Sequence, residues 1–203
     1  MTTTLRKHFT LIEILAVVAI IGVLAALIFP IVGKSRDKAN ETKAAAGANS
    51  IAIALKNYKT AYQKFPLSVM NSPVGGNNEV AASSYSGLND YDKIVFALSG
   101  TLPGGGSDKD NFVKVNGKKT PFLELPPEYM KAGGFYANPW GYRYYIMYAK
   151  PGESTVEFTA PKSGKTIKVG SEVAVFSELN PKGEDYKEGS RLATSWGGVI
   201  DVK

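Results

Sequence analysis

The sequence predicts an α+β protein in which a long N-terminal helix packs on a small C-terminal antiparallel β-sheet. A charge-free apolar run is followed by a polar stretch that keeps helical periodicity almost to Pro66. Segments rich in β-branched and aromatic residues, separated by Gly, Pro and Asn turns, are concentrated after residue 138. A chain of 203 residues has room for one head domain but not comfortably for two, so helix and sheet are expected to share a core.

The apolar run extends from Ile14 to Val32 and contains nineteen residues, none of them charged and thirteen of them Leu, Ile, Val or Phe. As a helix at ~1.5 Å per residue it would be ~28 Å long, close to the ~30 Å of a bilayer's hydrocarbon core. We therefore predict a transmembrane helix over residues 9–33. Arg6 and Lys7 precede the run and favour a cytoplasmic N-terminus. A cleaved secretory signal would have a shorter apolar stretch of about 7–15 residues.

We predict that residues 34–65 form an amphipathic continuation of the same helix, which can bend at Pro30 and Gly33. Apolar side chains recur along it at mostly three- and four-residue steps. We expect this stripe to be the face that packs on the sheet. Its large members are Ile53, Leu55, Tyr58, Tyr62 and Phe65.

Most of the net positive charge of the chain lies in this amphipathic segment. Residues 34–65 carry a net charge of +5, whereas residues 66–203 carry fifteen charges of each sign. A nucleic-acid-binding head is therefore not predicted. The charge fits a solvated face, a contact with anionic lipid headgroups or a complement to an acidic surface on another subunit, and the sequence does not choose among these.

The head is predicted to comprise residues 66–203. Residues 66–137 read as loops around one short helix over Asp90–Leu98, with a Gly-rich loop over Thr101–Lys119. Residues 138–203 are predicted to form the antiparallel sheet. Its expected strands are Tyr142–Tyr148, Thr155–Thr159, Thr166–Val169, Val173–Ser177 and Val199–Val202.

Residue composition argues against an enzyme. The chain has no Cys and a single His, His8, which excludes Cys-ligated zinc, a thiol nucleophile, a Ser-His-Asp triad and any multi-His metal site. Ser163–Thr166 ends like a phosphate-binding loop but lacks the preceding Gly, so a hairpin turn is predicted. Asp108–Asn111 begins like a calcium loop but lacks its Gly and its final Glu, so no metal is assigned to it.

Glu13 stands directly before the apolar run, where Phe9, Leu11 and Ile12 extend the apolar zone toward the N-terminus. A carboxylate that is partly immersed in lipid is costly unless it is paired or protonated. Two readings stay open: Glu13 has a cationic partner, or it is solvated at the headgroup boundary.

The N-terminus resembles that of type IV prepilins and type II secretion pseudopilins. The resemblance is carried by Lys7-His8, by Phe9-Thr10-Leu11-Ile12-Glu13, and by the apolar run with Pro30. It implies the pilin fold and a leader peptide, residues 1–8, that a prepilin peptidase removes between His8 and Phe9. The same resemblance implies methylation of Phe9 and pairing of Glu13 with the terminal amine of a neighbouring subunit. His8 stands where the family usually has Gly.

A second stretch is similar to the major pseudopilins of type II secretion. Asn138-Pro139-Trp140-Gly141, followed by Tyr144, matches their Asp-Pro-Trp-Gly-x-x-Tyr pattern, and Trp196 lies near the end of the chain as theirs does. The absence of Cys favours pseudopilins over disulfide-closed type IV pilins. Many relatives hold calcium with acidic residues just before that last Trp, but here Gly189–Thr194 occupies the place. No cofactor is predicted, although oxygens that could accept calcium are present in Glu178, Asn180, Glu184 and Asp185.

The resemblance implies a structural subunit of a type II secretion pseudopilus, stored in the bacterial inner membrane with its head in the periplasm. Its expected partners are the prepilin peptidase, identical and minor pseudopilin subunits, and the inner-membrane assembly platform. Two alternatives stay open. One is a type IV pilin of a surface fibre for adhesion, motility or DNA uptake, and the other is a membrane-tethered periplasmic binding module.

Overall fold

In the computed structural model the chain divides into two compact units, with the boundary between Asn40 and Glu41. The first unit is described from Thr10 onward and is helical. The second unit contains the rest of that helix and the whole head. The structure describes residues 10–66, 79–80, 90–107, 109–127, 136–149, 152–159, 164–179 and 191–202.

Helix α1 comprises Leu11–Tyr62 and includes Pro30 and Gly33 without a break in its assignment. It ends at Gln63, whose φ of 58° lies in the left-handed region and whose N–H donates to the Lys59 carbonyl oxygen at 2.7 Å. A left-handed residue of this kind commonly closes the last turn of a helix. The amphipathic segment predicted to reach residue 65 is therefore helical only to Tyr62.

The head contains a five-stranded antiparallel sheet and a separate two-stranded hairpin. The sheet has the strand order β1-β2-β5-β6-β7, and the hairpin pairs β3 with β4. The strands are β1 Glu79–Val80, β2 Tyr145–Tyr148, β3 Val156–Thr159, β4 Thr166–Val169, β5 Val173–Glu178, β6 Arg191–Thr194 and β7 Gly198–Asp201. The predicted α+β class, with a helix packed on a small antiparallel sheet, is confirmed. The expectation of one sheet is wrong, because β3 and β4 pair only with each other.

Side-chain alternation divides the head into three layers. Along β5, Val173 and Val175 face α1, whereas Ala174 and Phe176 face the β3–β4 hairpin. Successive residues of a strand point to opposite faces of its sheet, so the same strand feeds both cores. Thr159 pairs with Thr166 across antiparallel strands, as the predicted hairpin requires; Ser163 lies outside the described residues.

The helix face that packs on the sheet differs from the predicted stripe. Ile53 is 50% exposed, whereas Ile51, Leu55 and Tyr58 are fully buried. Two residues correspond to about 200° around a helix, so Ile53 lies on the side opposite Ile51. Tyr58 was assigned correctly, and Tyr62 and Phe65 are partly buried against the same core.

Small residues let α1 approach the sheet closely. Gly47 faces Tyr144, and a Cβ at Gly47 would lie 2.2 Å from the Tyr144 hydroxyl oxygen. The Tyr144 ring is 1% exposed and lies 5.9 Å from the ring of Tyr136. Only glycine fits at this point of contact.

The described residues of the second unit also form two shorter helices. Helix α2, Asp90–Ser99, extends the predicted Asp90–Leu98 by one residue and is followed by Gly100 with φ 78°. Helix α3, Lys109–Val115, and a 3-10 turn at Pro103–Gly105 lie in the stretch predicted to be a loop. That prediction is wrong because tertiary contacts outweigh the Gly-rich composition: the ring of Phe112 on α3 lies 5.8 Å from that of Phe96 on α2.

Candidate assembly site

The N-terminus of α1 is closed by a reciprocal cap between Thr10 and Glu13. The Thr10 N–H and the Thr10 hydroxyl each donate to Glu13 Oε2 at 2.7 Å, and the Glu13 N–H lies 3.3 Å from Thr10 Oγ1. This is the capping box, in which a Thr and a Glu three residues later satisfy helix N–H groups that have no partner in the helix. Both residues are exposed.

The cap adds a role for Glu13 that the sequence analysis did not consider. Thr-x-x-Glu before an apolar run is a recognisable capping signal, and it is present at Thr10–Glu13. Both hydrogen bonds that the carboxylate accepts within the described chain end on Oε2. The predicted cleavage and methylation residues, His8 and Phe9, lie outside the described residues, so processing stays a prediction.

The helix that follows the cap presents apolar side chains on all sides. All ten Leu, Ile and Val residues between Leu11 and Leu24, which we call the apolar segment, are between 51% and 85% exposed. A helix that is hydrophobic all round is normally covered by protein or lipid, and soluble monomers rarely expose apolar patches of this extent. Among the residues that the structure describes, no helix meets the length and apolarity required to cross a membrane.

The Asn-Pro-Trp-Gly motif forms a turn that is built around the Asn138 carboxamide. Asn138 Oδ1 accepts from the N–H groups of Trp140 and Tyr142 at 3.0 and 2.9 Å. Its Nδ2 donates to Ser177 Oγ at 2.6 Å, which ties the turn to the end of β5. Gly141 has φ 83°, and that conformation explains the glycine. Asn138 is thus the central residue of the motif, although sequence reasoning emphasised the three residues after it.

The turn places Trp140 against α1. Trp140 is half-buried and packs against a small cluster. The cluster is formed by Ala44 of α1, Ala193 of β6, and Leu179, which follows β5. Pro139 and Gly141 are exposed. The turn therefore contacts both helix α1 and strand β6.

Trp196 lies in a different layer from Trp140. Its ring is 6.0 Å from Phe158 of the hairpin and 6.3 Å from Phe176 of β5, with edge-to-face geometry at both contacts. The two predicted motif tryptophans are therefore not brought together. Trp196 packs in the core between the sheet and the hairpin, whereas Trp140 packs in the small cluster around Ala44.

Arg191 connects three elements at the point where α1 enters the second unit. Its guanidinium donates to Glu41 through Nη1 to Oε1 at 2.5 Å and through Nη2 to Oε2 at 3.1 Å. Its Nε lies 3.2 Å from Asp201 Oδ1 on β7. The hydrogen bond with Glu41 is the main cause that raises the pKa of Arg191 above its usual value. No sequence signal marked Arg191.

The stretch where the resemblance led us to look for a calcium site, Gly189–Thr194, contains strand β6. In the described part of the chain, no group of three or more His, Cys, Asp or Glu side chains could hold a metal ion. Glu178 ends β5, and the other candidate calcium ligands, Asn180, Glu184 and Asp185, lie outside the described residues.

One named protein is similar to part of this chain. The chain is 38% identical over 61 residues to the type II secretion system core protein G of Pectobacterium carotovorum subsp. carotovorum. The alignment covers 30% of this chain and 39% of that protein, so it spans less than half of either. No family model matches the chain, and no solved structure matches it significantly.

Proposed function

We propose that the protein is a structural subunit of a type II secretion pseudopilus. It polymerises through the apolar segment of α1 and presents its head on the outside of the filament. The observation that carries the proposal is the exposed apolar segment, which follows the Thr10–Glu13 cap, on a chain whose head has its own buried core. Similarity to core protein G supports the secretion context.

The apolar segment supports a role in two environments. Its exposed Leu, Ile and Val side chains require a cover, and a bilayer and a bundle of identical helices both supply one. We infer that the segment is stored in the inner membrane, with residues 1–8 cytoplasmic before cleavage and the head periplasmic. Transfer from lipid to bundle exchanges one apolar cover for another, so the hydrophobic cost of leaving the membrane is small.

Glu13 supports a check on the axial position of each incoming subunit. Among the described residues, Oε1 of Glu13 receives no hydrogen bond, so it can accept from the terminal ammonium of a processed neighbour while Oε2 keeps the cap. An ion pair in an apolar bundle is favourable only when both charges are desolvated together. A subunit in the wrong register would bury one charge alone, and that is strongly unfavourable.

The proposed partners follow from these two features. The prepilin peptidase would remove residues 1–8, identical subunits and minor pseudopilins would cover the apolar segment, and the inner-membrane platform would supply the work of assembly. The subunit itself performs no catalytic step in this proposal.

The test separates the cap from the contact between subunits. Thr10→Val removes the hydroxyl that donates to Glu13 but keeps the carboxylate, whereas Glu13→Gln keeps a similar shape and removes the charge. In cells that make the protein natively, we expect Glu13→Gln to abolish filaments, and Thr10→Val to reduce them no more than a few-fold. Glu124→Gln, at an exposed head glutamate, is the matched control.

Filaments can be measured by cysteine crosslinking, since the chain has no Cys of its own. A ladder of crosslinked oligomers from Cys pairs placed in the apolar segment is the expected result for the otherwise unchanged protein. Equal loss in Glu13→Gln and Thr10→Val would reduce Glu13 to a helix cap. No ladder in the unchanged protein, together with normal secretion, would contradict the pseudopilus and favour a tethered binding module.

A further inference from the structure

The first two turns of α1 in the second unit contribute little apolar surface to the head. In Glu41–Gly47, which we call the joint segment, the buried side chain is that of Ala44, and Ala45 is half-buried. Over the next three helical turns, Ile51, Leu55 and Tyr58 are all fully buried in the main core. Hydrophobic stabilisation scales with buried apolar area, so it is far weaker in the joint segment than in the rest of the helix.

The polar contact between Glu41 of the joint segment and Arg191 is strong compared with the segment's apolar packing. Arg191 binds Glu41 with two parallel hydrogen bonds and also contacts Asp201, so one guanidinium links α1, β6 and β7. The Glu41 side chain is 12% exposed and the Arg191 side chain 40%, so the carboxylate is shielded from water whereas part of the guanidinium stays exposed. Two-point binding of a carboxylate is the arrangement that distinguishes Arg from Lys.

We propose that Arg191 is a latch that holds the joint segment on the sheet, and that opening this latch releases Glu41–Gly47 while the remaining helix stays packed. The latch is a property of the head and does not depend on the proposed function. Its use in a filament does rest on that function: release would free about two turns of α1 from the head, at ~3.6 residues per turn, and let a subunit adjust to its neighbours.

Hydrogen exchange of the full-length chain in detergent micelles tests the latch, because local opening exposes amides independently of global unfolding. For Arg191→Ala, we expect amides of residues 44–48 to exchange at least tenfold faster and those of residues 52–58 less than twofold faster. Arg191→Lys should be intermediate, since a single ammonium cannot bind both Glu41 oxygens in the same way. Glu41→Gln is a milder variant that keeps the Arg191–Asp201 contact in case Arg191→Ala fails to fold.

The matched control is the ion pair at the other end of the same helix. Lys59→Ala breaks the 2.6 Å contact with Glu172, and faster exchange is expected only near residues 58–62. Unchanged exchange of residues 44–48 in Arg191→Ala and Glu41→Gln would overturn the latch. Acceleration by the same factor throughout residues 41–202 would overturn it too, because Arg191 would then stabilise the head as a whole.

Discussion

Replacing Gly47 by Ala should destabilise the head, although alanine is the better helix former. In a helix interior the exchange is worth about 1 kcal/mol in favour of Ala. The new Cβ, however, would lie 2.2 Å from Tyr144 Oη and 2.9 Å from Cζ, whereas apolar atoms are at rest ~3.5–4.0 Å apart. The ring or the helix must therefore move by more than ~1 Å in a well-packed core.

The magnitude follows from the balance of these two terms. Overpacking of a core costs typically ~1–3 kcal/mol, and an overlap of this size at a buried ring belongs at the upper end of that range. Subtracting the helix-propensity gain leaves a net loss of about 2 kcal/mol in the free energy of unfolding. Tyr144→Phe removes the overlapping oxygen and should return about 1 kcal/mol of this loss in the double variant, because the contact at Cζ stays tight.

Urea unfolding of the full-length chain, monitored by tryptophan fluorescence, measures all four members of this double-mutant cycle. The control is Gly33→Ala on the same helix, where an added Cβ would have no atom within 4 Å and the head should lose no stability. The reasoning is refuted if Gly47→Ala leaves the free energy of unfolding unchanged or raises it. It is refuted equally if Gly47→Ala costs the same whether residue 144 is Tyr or Phe.

Three further results are expected. Asn138→Asp should lower the free energy of unfolding by about 1–3 kcal/mol at pH 7, because a carboxylate cannot donate to Ser177 Oγ and the Glu178 carbonyl oxygen as the amide does. Urea unfolding measures this change. An unchanged free energy of unfolding would contradict the role of the amide. Asp92→Asn should cost ~3–5 kcal/mol, because it removes the carboxylate charge that lies 3.0 Å from the buried Arg143 guanidinium; loss of less than ~1 kcal/mol would show that the pair is not needed. Burial, aided by Tyr62, raises the pKa of Tyr58 to about 12, above the usual ~10, so the folded state keeps this proton longer than the unfolded state. Stability from this tyrosine should therefore be complete below pH 10 and decline as pH rises from 10 to 12. The difference in tyrosine absorbance between the native chain and Tyr58→Phe isolates this group among the eleven tyrosines, and circular dichroism reports unfolding. Ionisation of Tyr58 near pH 10 without unfolding would contradict the burial.

Sequence periodicity predicted the large elements because each repeats one physical signal many times. The helix from the apolar run to Tyr62, the α2 helix and strands β2 to β5 all follow from alternation or three-to-four-residue spacing. The β6 strand escaped prediction because Arg191–Thr194 is short and carries one basic and one polar residue among its four. Its pairing with β5 and β7 is decided by tertiary contacts rather than by β-propensity.

The helix face was misassigned because alanines are ambiguous. In Ala44–Ala46 any of the three side chains can face a sheet, and the large residues further on had to fix the phase. Ile53 was counted as a core residue and Ile51 was not, whereas the structure buries Ile51 and exposes Ile53; the predicted burial of Leu55 is confirmed. Gly47 and Arg191 escaped notice for another reason: their roles depend on partners, Tyr144 and Glu41, that are about 100 or more residues away in sequence.

The assembly site could be predicted in part. Glu13 was singled out because a carboxylate beside an apolar run is costly, but the cap with Thr10 required the local hydrogen bonds to be seen. The Asn-Pro-Trp-Gly motif was noticed through its resemblance to the major pseudopilins, yet only the structure shows that it forms a turn and that Asn138 carries its hydrogen bonds. Geometry of this kind depends on where backbone groups lie, and residue spacing alone does not specify it.

The intact mass and N-terminal residue of the protein from its native membranes test the central claim most directly. A pseudopilus subunit is predicted to begin at an N-methylated Phe9, because its free amine must be available to the Glu13 of a neighbour. A mature chain that retains residues 1–8 would contradict assembly through this terminus and indicate a permanent anchor. A chain that begins beyond Val32 would contradict it in a different way, since the apolar segment would then serve only for export.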